Sequence, residues 1–92
     1  MTAVAAMTRP TPDEVLAVVT DALAVVCEVP KASLSRDTEL SALGADSLAR
    51  VELAELVEER LAPYAPGLHI DDADLDAFCT VGDAVDYLLA RV

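Results

Sequence analysis

One serine hydroxyl is a candidate centre of chemistry because of the residues on either side of it. Ser47 comes directly after Asp46 and three residues after Gly44. An acid-rich, amphipathic run from Ala49 to Leu61 follows it. This order predicts that the hydroxyl lies where a glycine-containing loop turns into a helix. The unpaired amides of a helix's first turn and the positive end of its dipole favour an anion there, by about 0.3–1 kcal/mol for an exposed group. Ser47 is therefore a candidate attachment point for a phosphate-linked group.

The surroundings of Ser47 resemble the modification motif of acyl carrier proteins, in which Asp-Ser-Leu opens the second helix and the serine carries 4'-phosphopantetheine. The resemblance covers residues 12–92, and three further segments follow the family's order, at residues 37–40, 51–53 and 80–88. It implies that Ser47 receives 4'-phosphopantetheine from coenzyme A. A separate phosphopantetheinyl transferase, which would hold the metal ion, is implied as the enzyme that attaches it.

The same resemblance implies a carrier protein that is not an enzyme. The arm would hold an acyl group as a thioester, at a high effective concentration wherever the carrier docks. The expected role is an acyl carrier protein of polyketide or fatty acid assembly, acting in trans as a monomer. The expected partners are an acyltransferase, a ketosynthase, or adenylating and loading enzymes with basic docking patches. Scarce lysine and abundant alanine, valine and leucine are typical of high-GC genomes, where polyketide pathways are common, and favour that branch.

The helix that Ser47 opens is predicted to present a surface for these partners. Leu48 and Val51 lie one turn apart and away from the apolar stripe of the helix, so we expect both to be partly exposed. In acyl carrier proteins the corresponding face, apolar in the middle and acidic around it, binds partner enzymes. The residues assigned to it here are Asp46, Leu48, Arg50, Val51, Glu52 and Glu55. Arg50 adds a positive charge and Glu55 stands where many family members are apolar, and both would restrict the choice of partners.

Simpler interpretations stay open beside these. Serine and aspartate are both favoured at helix starts and turns, so Ser47 could be only an N-cap and Asp46 only a cap or turn residue. A discrete aminoacyl or peptidyl carrier would use the same arm for a different cargo. A non-carrier acidic helical interaction protein would need no arm at all. Glu58 and Glu59 are expected to be solvated surface charge.

Composition excludes several other classes of protein. The 92 residues include 17 acidic and 6 basic side chains, for a net charge of −11. Such a field repels nucleic acid and anionic membrane surfaces, and it attracts proteins with basic patches. The hydrophobic fraction of 54% argues against a disordered acidic tail. A chain of this length is expected to form one domain around one core.

No set of residues suits catalysis or a metal ion. Cys27, Cys79 and His69 lack the spacing of a zinc site. The aspartates in residues 71–74 lack the glycine turn and terminal glutamate of a calcium-binding loop. No segment reaches the roughly 18–20 uninterrupted apolar residues of a membrane span. Residues 1–10 do not resemble a secretion signal, so we expect a cytoplasmic protein with reduced thiols.

The apolar periodicity predicts an all-α fold, a small four-helix bundle of the acyl carrier protein type with three main helices and one short helix. Residues 1–10 are predicted to be a flexible segment before a carrier domain over residues 11–92. Thr11, Pro12 and Glu14 predict a capping box at the start of the first helix, which Pro30 ends.

The other predicted elements follow in order. A long loop over residues 31–46, with a short helical turn after Asp37, leads to a second helix over residues 47–62. A short third helix is predicted within residues 70–78, and a final helix is capped by Thr80. The predicted inner faces are Leu16, Val19, Leu23 and Val26 in the first helix, Leu53, Leu56, Val57 and Leu61 in the second, and Val81, Val85, Leu88 and Val92 in the last. The predicted loop anchors are Leu34, Leu40 and Leu43.

Overall fold

The structure, a computed structural model, describes residues 9–92. Its helices are α1 (Pro12–Cys27), α2 (Ser47–Leu61), α3 (Asp72–Ala77) and α4 (Val81–Leu89), and two short 3-10 turns, Lys31–Ser33 and Ser41–Leu43, lie between α1 and α2. The predicted all-α bundle of three main helices and one short helix is confirmed. The flexible segment predicted for residues 1–10 lies outside the described residues, except for Arg9 and Pro10.

Capping boxes begin α1 and α4, as their sequences predict. The Thr11 hydroxyl accepts a hydrogen bond from the Glu14 amide at 3.1 Å, and Glu14 Oε1 accepts one from the Thr11 amide at 2.7 Å. In α4 the Thr80 hydroxyl accepts from the Asp83 amide at 3.2 Å, and Asp83 Oδ2 accepts from the Thr80 amide at 3.0 Å. Each box satisfies amides that the helix itself leaves unpaired. These two starts are therefore fixed by residues three positions apart.

The core lies between α1, α2 and α4, because α1 packs against both of the other long helices while α3 packs against α2. The predicted inner faces are correct in part. Leu16, Val26 and Leu56 are only half-buried, whereas Val15 and Ala22 are buried. Val92 is half-buried too and lies beyond the end of α4 at Leu89, so its predicted place on that helix is wrong. The burial of α1 on two sides explains the additional buried residues Val15 and Ala22, since contacts with two neighbours cover a wider arc than one stripe. The largest side chains with no more than 1% exposure are Leu23, Leu40, Leu61, Leu88, Val15, Val19, Val57, Val81 and Val85.

The long loop before α2 is fixed to the start of α4. The Leu40 amide donates to the Cys79 carbonyl at 2.9 Å, and the Gly82 amide donates to the Arg36 carbonyl at 2.8 Å. A Cβ atom at position 82 would lie 3.2 Å from that Arg36 oxygen, so the close approach favours glycine. Leu40 is fully buried, in agreement with its predicted role as an anchor. The loop therefore reaches Ser47 from a fixed position on the bundle.

Candidate functional site

Ser47 is the first residue of α2, and Asp46 is the N-cap. Asp46 Oδ1 accepts a hydrogen bond from the Ala49 amide at 2.9 Å. The interpretation of Ser47 as the N-cap is therefore wrong, and that of Asp46 as the cap is confirmed. The Ser47 side chain is exposed, and its hydroxyl makes no hydrogen bond to any other residue from 9 to 92. The helix start thus leaves this hydroxyl accessible from solvent.

The chain enters α2 through a tight turn that ends at Gly44. Gly44 has a φ of 75°, in the left-handed region that favours glycine. Its amide donates to the Ser41 carbonyl at 3.1 Å, and the Ala45 amide donates to the Leu40 carbonyl at 3.3 Å. Since Leu40 belongs to the core, the turn is held against the bundle. These contacts orient the residues that immediately precede Ser47.

Arg50 joins the start of α2 to the end of α3. Its Nη1 atom donates to the carbonyls of Leu75 at 2.8 Å and Phe78 at 2.9 Å, and its Nε atom lies 3.4 Å from the Ala45 carbonyl. The side chain is half-buried. The prediction that Arg50 adds a positive charge to the exposed face is therefore wrong, because the guanidinium is directed towards α3. Local patterns could not indicate this, since two of the acceptors are 25 and 28 residues away.

The exposed face of α2 consists of Leu48, Val51, Glu52 and Glu55, and we call it the α2 face. Leu48 is 68% exposed and Val51 is 40% exposed, as their spacing predicts. Glu52 and Glu55 are exposed as well. Two aliphatic side chains thus project into solvent beside two carboxylates, in the turns that follow Ser47. A third exposed aliphatic residue is Val25 of α1, at 65%. The sequence prediction did not name it, although it lies off the predicted apolar stripe of α1, which is the same signal that predicts exposure of Leu48 and Val51.

Glu58 has a structural role that the sequence did not predict. Its Oε2 atom accepts a hydrogen bond from the Ile70 amide at 2.8 Å and lies 3.5 Å from His69 Nδ1. The Glu58 side chain is only 24% exposed, so the expectation of solvated charge is wrong for this residue. Glu59 is exposed, as expected. Glu58 therefore fixes the segment that follows α2 to the helix itself.

The two cysteines lie in different environments. Cys27 is half-buried, and Cys79 is exposed. Burial raises the pKa of the Cys27 thiol, and the negative charge of Asp46 raises it further. Within residues 9–92, no three His, Cys, Asp or Glu side chains are grouped to hold a metal ion. In the same range, no helix has the length and apolar character needed to cross a membrane.

A compact bundle with an exposed serine at a helix start is the arrangement expected of a carrier domain. Sequence similarity to known proteins points to the same class. The chain belongs to the family described as the phosphopantetheine attachment site, whose profile matches residues 17–88. Over 60 residues it is 45% identical to a protein named acyl carrier protein from Desulforapulum autotrophicum. That alignment covers 65% of this chain and 65% of the relative's own length. The family's cofactor is phosphopantetheine, and its members are carriers rather than enzymes.

Proposed function

We propose that Ser47 carries 4'-phosphopantetheine and that the protein delivers acyl groups bound to this arm to partner enzymes. When attached, the arm supplies a terminal thiol on which an acyl group is held as a thioester. The single observation that supports Ser47 is its exposed hydroxyl at the first residue of α2, with Asp46 acting as the cap. Because the capping role is already filled, Ser47 is not needed to begin the helix.

The geometry around Ser47 fits a phosphodiester. A 15-residue helix directs the positive end of its dipole and its first unpaired amides towards the position that the phosphate would occupy. The Ala45 amide donates to the carbonyl of the buried Leu40, so the hydroxyl follows a turn that is held against the core. The contribution of this chain is therefore to expose and orient the hydroxyl. The transfer itself is left to a separate transferase.

The attachment is tested by incubating the purified apo protein with coenzyme A and a broad-specificity phosphopantetheinyl transferase, followed by intact mass measurement. The parent should gain one phosphopantetheine, and Ser47→Ala should gain none. Ser41→Ala is the matched control, because Ser41 is also exposed and lies in the same approach to α2. Modification of Ser47→Ala, or no modification of the parent while a known carrier is modified, would contradict the proposal.

We also propose that the α2 face, together with Asp46, binds the transferase and later partners. Apolar contact by Leu48 and Val51 would be combined with attraction between Glu52, Glu55 and a basic patch on the partner. The side chains of Leu48 and Val51 are exposed in the free protein, so they are available for such contact. We leave Arg50 out of this surface, because its guanidinium donates to two carbonyls at the end of α3.

Charge reversal tests this surface. Glu52→Lys should lower kcat/KM for phosphopantetheine transfer and flatten its dependence on salt, because long-range attraction to a basic partner is lost. Asp37→Lys makes the same change of charge at an exposed loop position and should have a small effect. Equal effects of the two variants would show that net charge, rather than the α2 face, governs the encounter.

For the cargo, we propose an acyl group in polyketide or fatty acid assembly rather than an aminoacyl group. The support is the resemblance around Ser47 and the name of the relative, which is an acyl carrier protein. Intact mass measurement of protein isolated from its native host tests this choice directly. Masses of acylated forms would support it, and masses of aminoacylated or peptidylated forms would favour the aminoacyl carrier instead.

A further inference from the structure

A groove between the C-terminal half of α1 and the middle of α2 is not explained by attachment at Ser47. Its volume is about 620 Å³. The apolar part of its lining consists of Val25, Val26 and Leu56. The polar part consists of four carboxylates, Glu28, Glu52, Glu55 and Glu59. The groove therefore combines three apolar side chains with four negative charges.

Val25 is the unusual member of this lining. It is 65% exposed, although Val19 and Leu23 of the same helix are buried. Single exposed aliphatic residues are common on protein surfaces. Here, however, Val25 shares one concave surface with Val26 and Leu56, which are both half-buried. Val25 is therefore one of three apolar side chains that line the same groove, and not an isolated exposed residue.

The charges of the groove are not neutralised within the described part of the chain. The glutamates of α2 that line it are spaced three and four residues apart, and like charges at this spacing repel one another on a helix. The two neighbouring cations do not pair with them. Lys31 lies 2.8 Å and Arg60 3.9 Å from the carboxylate of Asp21, one turn before Val25 on α1. A positively charged partner would relieve this repulsion.

We propose that this groove, the α1–α2 groove, binds an amphipathic, positively charged helix of a partner protein. An apolar side chain of that helix would contact Val25, and flanking arginines or lysines would pair with the glutamates. A second copy of this chain is disfavoured by its net charge of −11, as are nucleic acids and anionic lipids. Glu52 and Glu55 belong both to the groove and to the α2 face, so the two surfaces are continuous. The inference rests on the proposed carrier function and extends the partner surface onto α1.

A synthetic helical peptide with a leucine stripe flanked by arginines is a suitable probe. It is titrated into ¹⁵N-labelled apo protein, and the same peptide with glutamate in place of arginine serves as the comparison. The arginine peptide should shift the backbone amides of Val25, Glu28 and Leu56, and added salt should weaken its binding. The glutamate peptide should not bind.

Two variants separate the groove from its surroundings. Val25→Ser should weaken binding of the arginine peptide by about five-fold or more, because it removes apolar contact. Ala73→Ser, at an exposed position of α3 outside both the groove and the α2 face, should change it by less than about two-fold. Both positions are exposed, so neither substitution should unfold the protein. Equal losses, or amide shifts spread over the whole acidic surface, would overturn the proposal, as would dimerisation of the protein through the groove.

Peptide binding and phosphopantetheine attachment test the groove and the carrier function separately. Ser47→Ala should bind the arginine peptide as the parent does, because position 47 does not line the groove. A parent that binds the peptide in the groove but accepts no phosphopantetheine would refute the carrier function alone. A parent that accepts phosphopantetheine but shows no groove-specific binding would refute the α1–α2 groove as a partner site.

Discussion

Replacing Arg50 with methionine should destabilise the protein by about 3 kcal/mol. Hydrogen bonds to charged groups contribute about 1.5–3 kcal/mol each, and the half-burial of Arg50 favours the lower value. Two such bonds, to the carbonyls of Leu75 and Phe78, are lost, while the longer contact with Ala45 adds little. Methionine keeps most of the aliphatic packing of the arginine stem. Against a total free energy of unfolding of about 5–15 kcal/mol, this loss is large.

Urea unfolding followed by far-ultraviolet circular dichroism measures the loss, and Arg60→Met is the matched control. Arg60 lies on the same helix and carries the same charge, but its side chain is 51% exposed and its contact with Asp21 is 3.9 Å long. That variant should lose less than about 0.5 kcal/mol. If Arg50→Met loses no more than Arg60→Met, the link from α2 to α3 does not stabilise the fold. Folded Arg50→Met should still accept phosphopantetheine, because the arginine does not belong to the α2 face.

Three further predictions concern acid stability, the loop and the thiols. Hydrogen bonds from the backbone amides of Thr80 and Cys79 hold the pKa of Asp83 below its usual value. The Asp83 carboxylate therefore stabilises the fold fully above about pH 4, and this stabilisation is lost as the pH falls through the lower pKa of the folded state. The stability deficit of Asp83→Asn, measured by urea unfolding, should therefore shrink in acid, and a deficit independent of pH would contradict this cause. Leu40→Ala should cost about 2–5 kcal/mol in the same assay, and a loss below about 1 kcal/mol would mean that the loop is not part of the cooperative core. Iodoacetamide should alkylate the exposed Cys79 faster than Cys27, whose pKa is raised by burial, and peptide mapping that finds equal rates would contradict the burial of Cys27.

Local sequence patterns predict where the helices of this protein begin. The capping boxes at Thr11 and Thr80 join residues only three positions apart, so they form wherever the helix forms. The start of α2 is predictable to within one residue, but the choice of cap is not. Asp46 and Ser47 are both good N-cap residues, and only the structure shows that Asp46 takes the cap position.

The end of α1 is likewise predicted only approximately by the local sequence. Pro30 predicts a stop, yet the helix ends at Cys27, where Glu28 adopts a left-handed conformation with a φ of 56°. Proline guarantees that a helix does not continue, but it does not fix the preceding residue at which the helix ends. The position of that end matters here, because Glu28 lines the α1–α2 groove.

The helices, the two capping boxes and the candidate role of Ser47 follow from local sequence patterns, because helical periodicity and capping act over one or two turns. The roles of Arg50 and Glu58 do not follow from it, since their acceptor and donor groups lie 12 to 28 residues away. The groove that Val25 shares with Leu56 is of the same kind, because it depends on where α2 packs beside α1. Such contacts form only when the helices pack together. The roles of these charged and apolar residues are therefore decided by the tertiary structure.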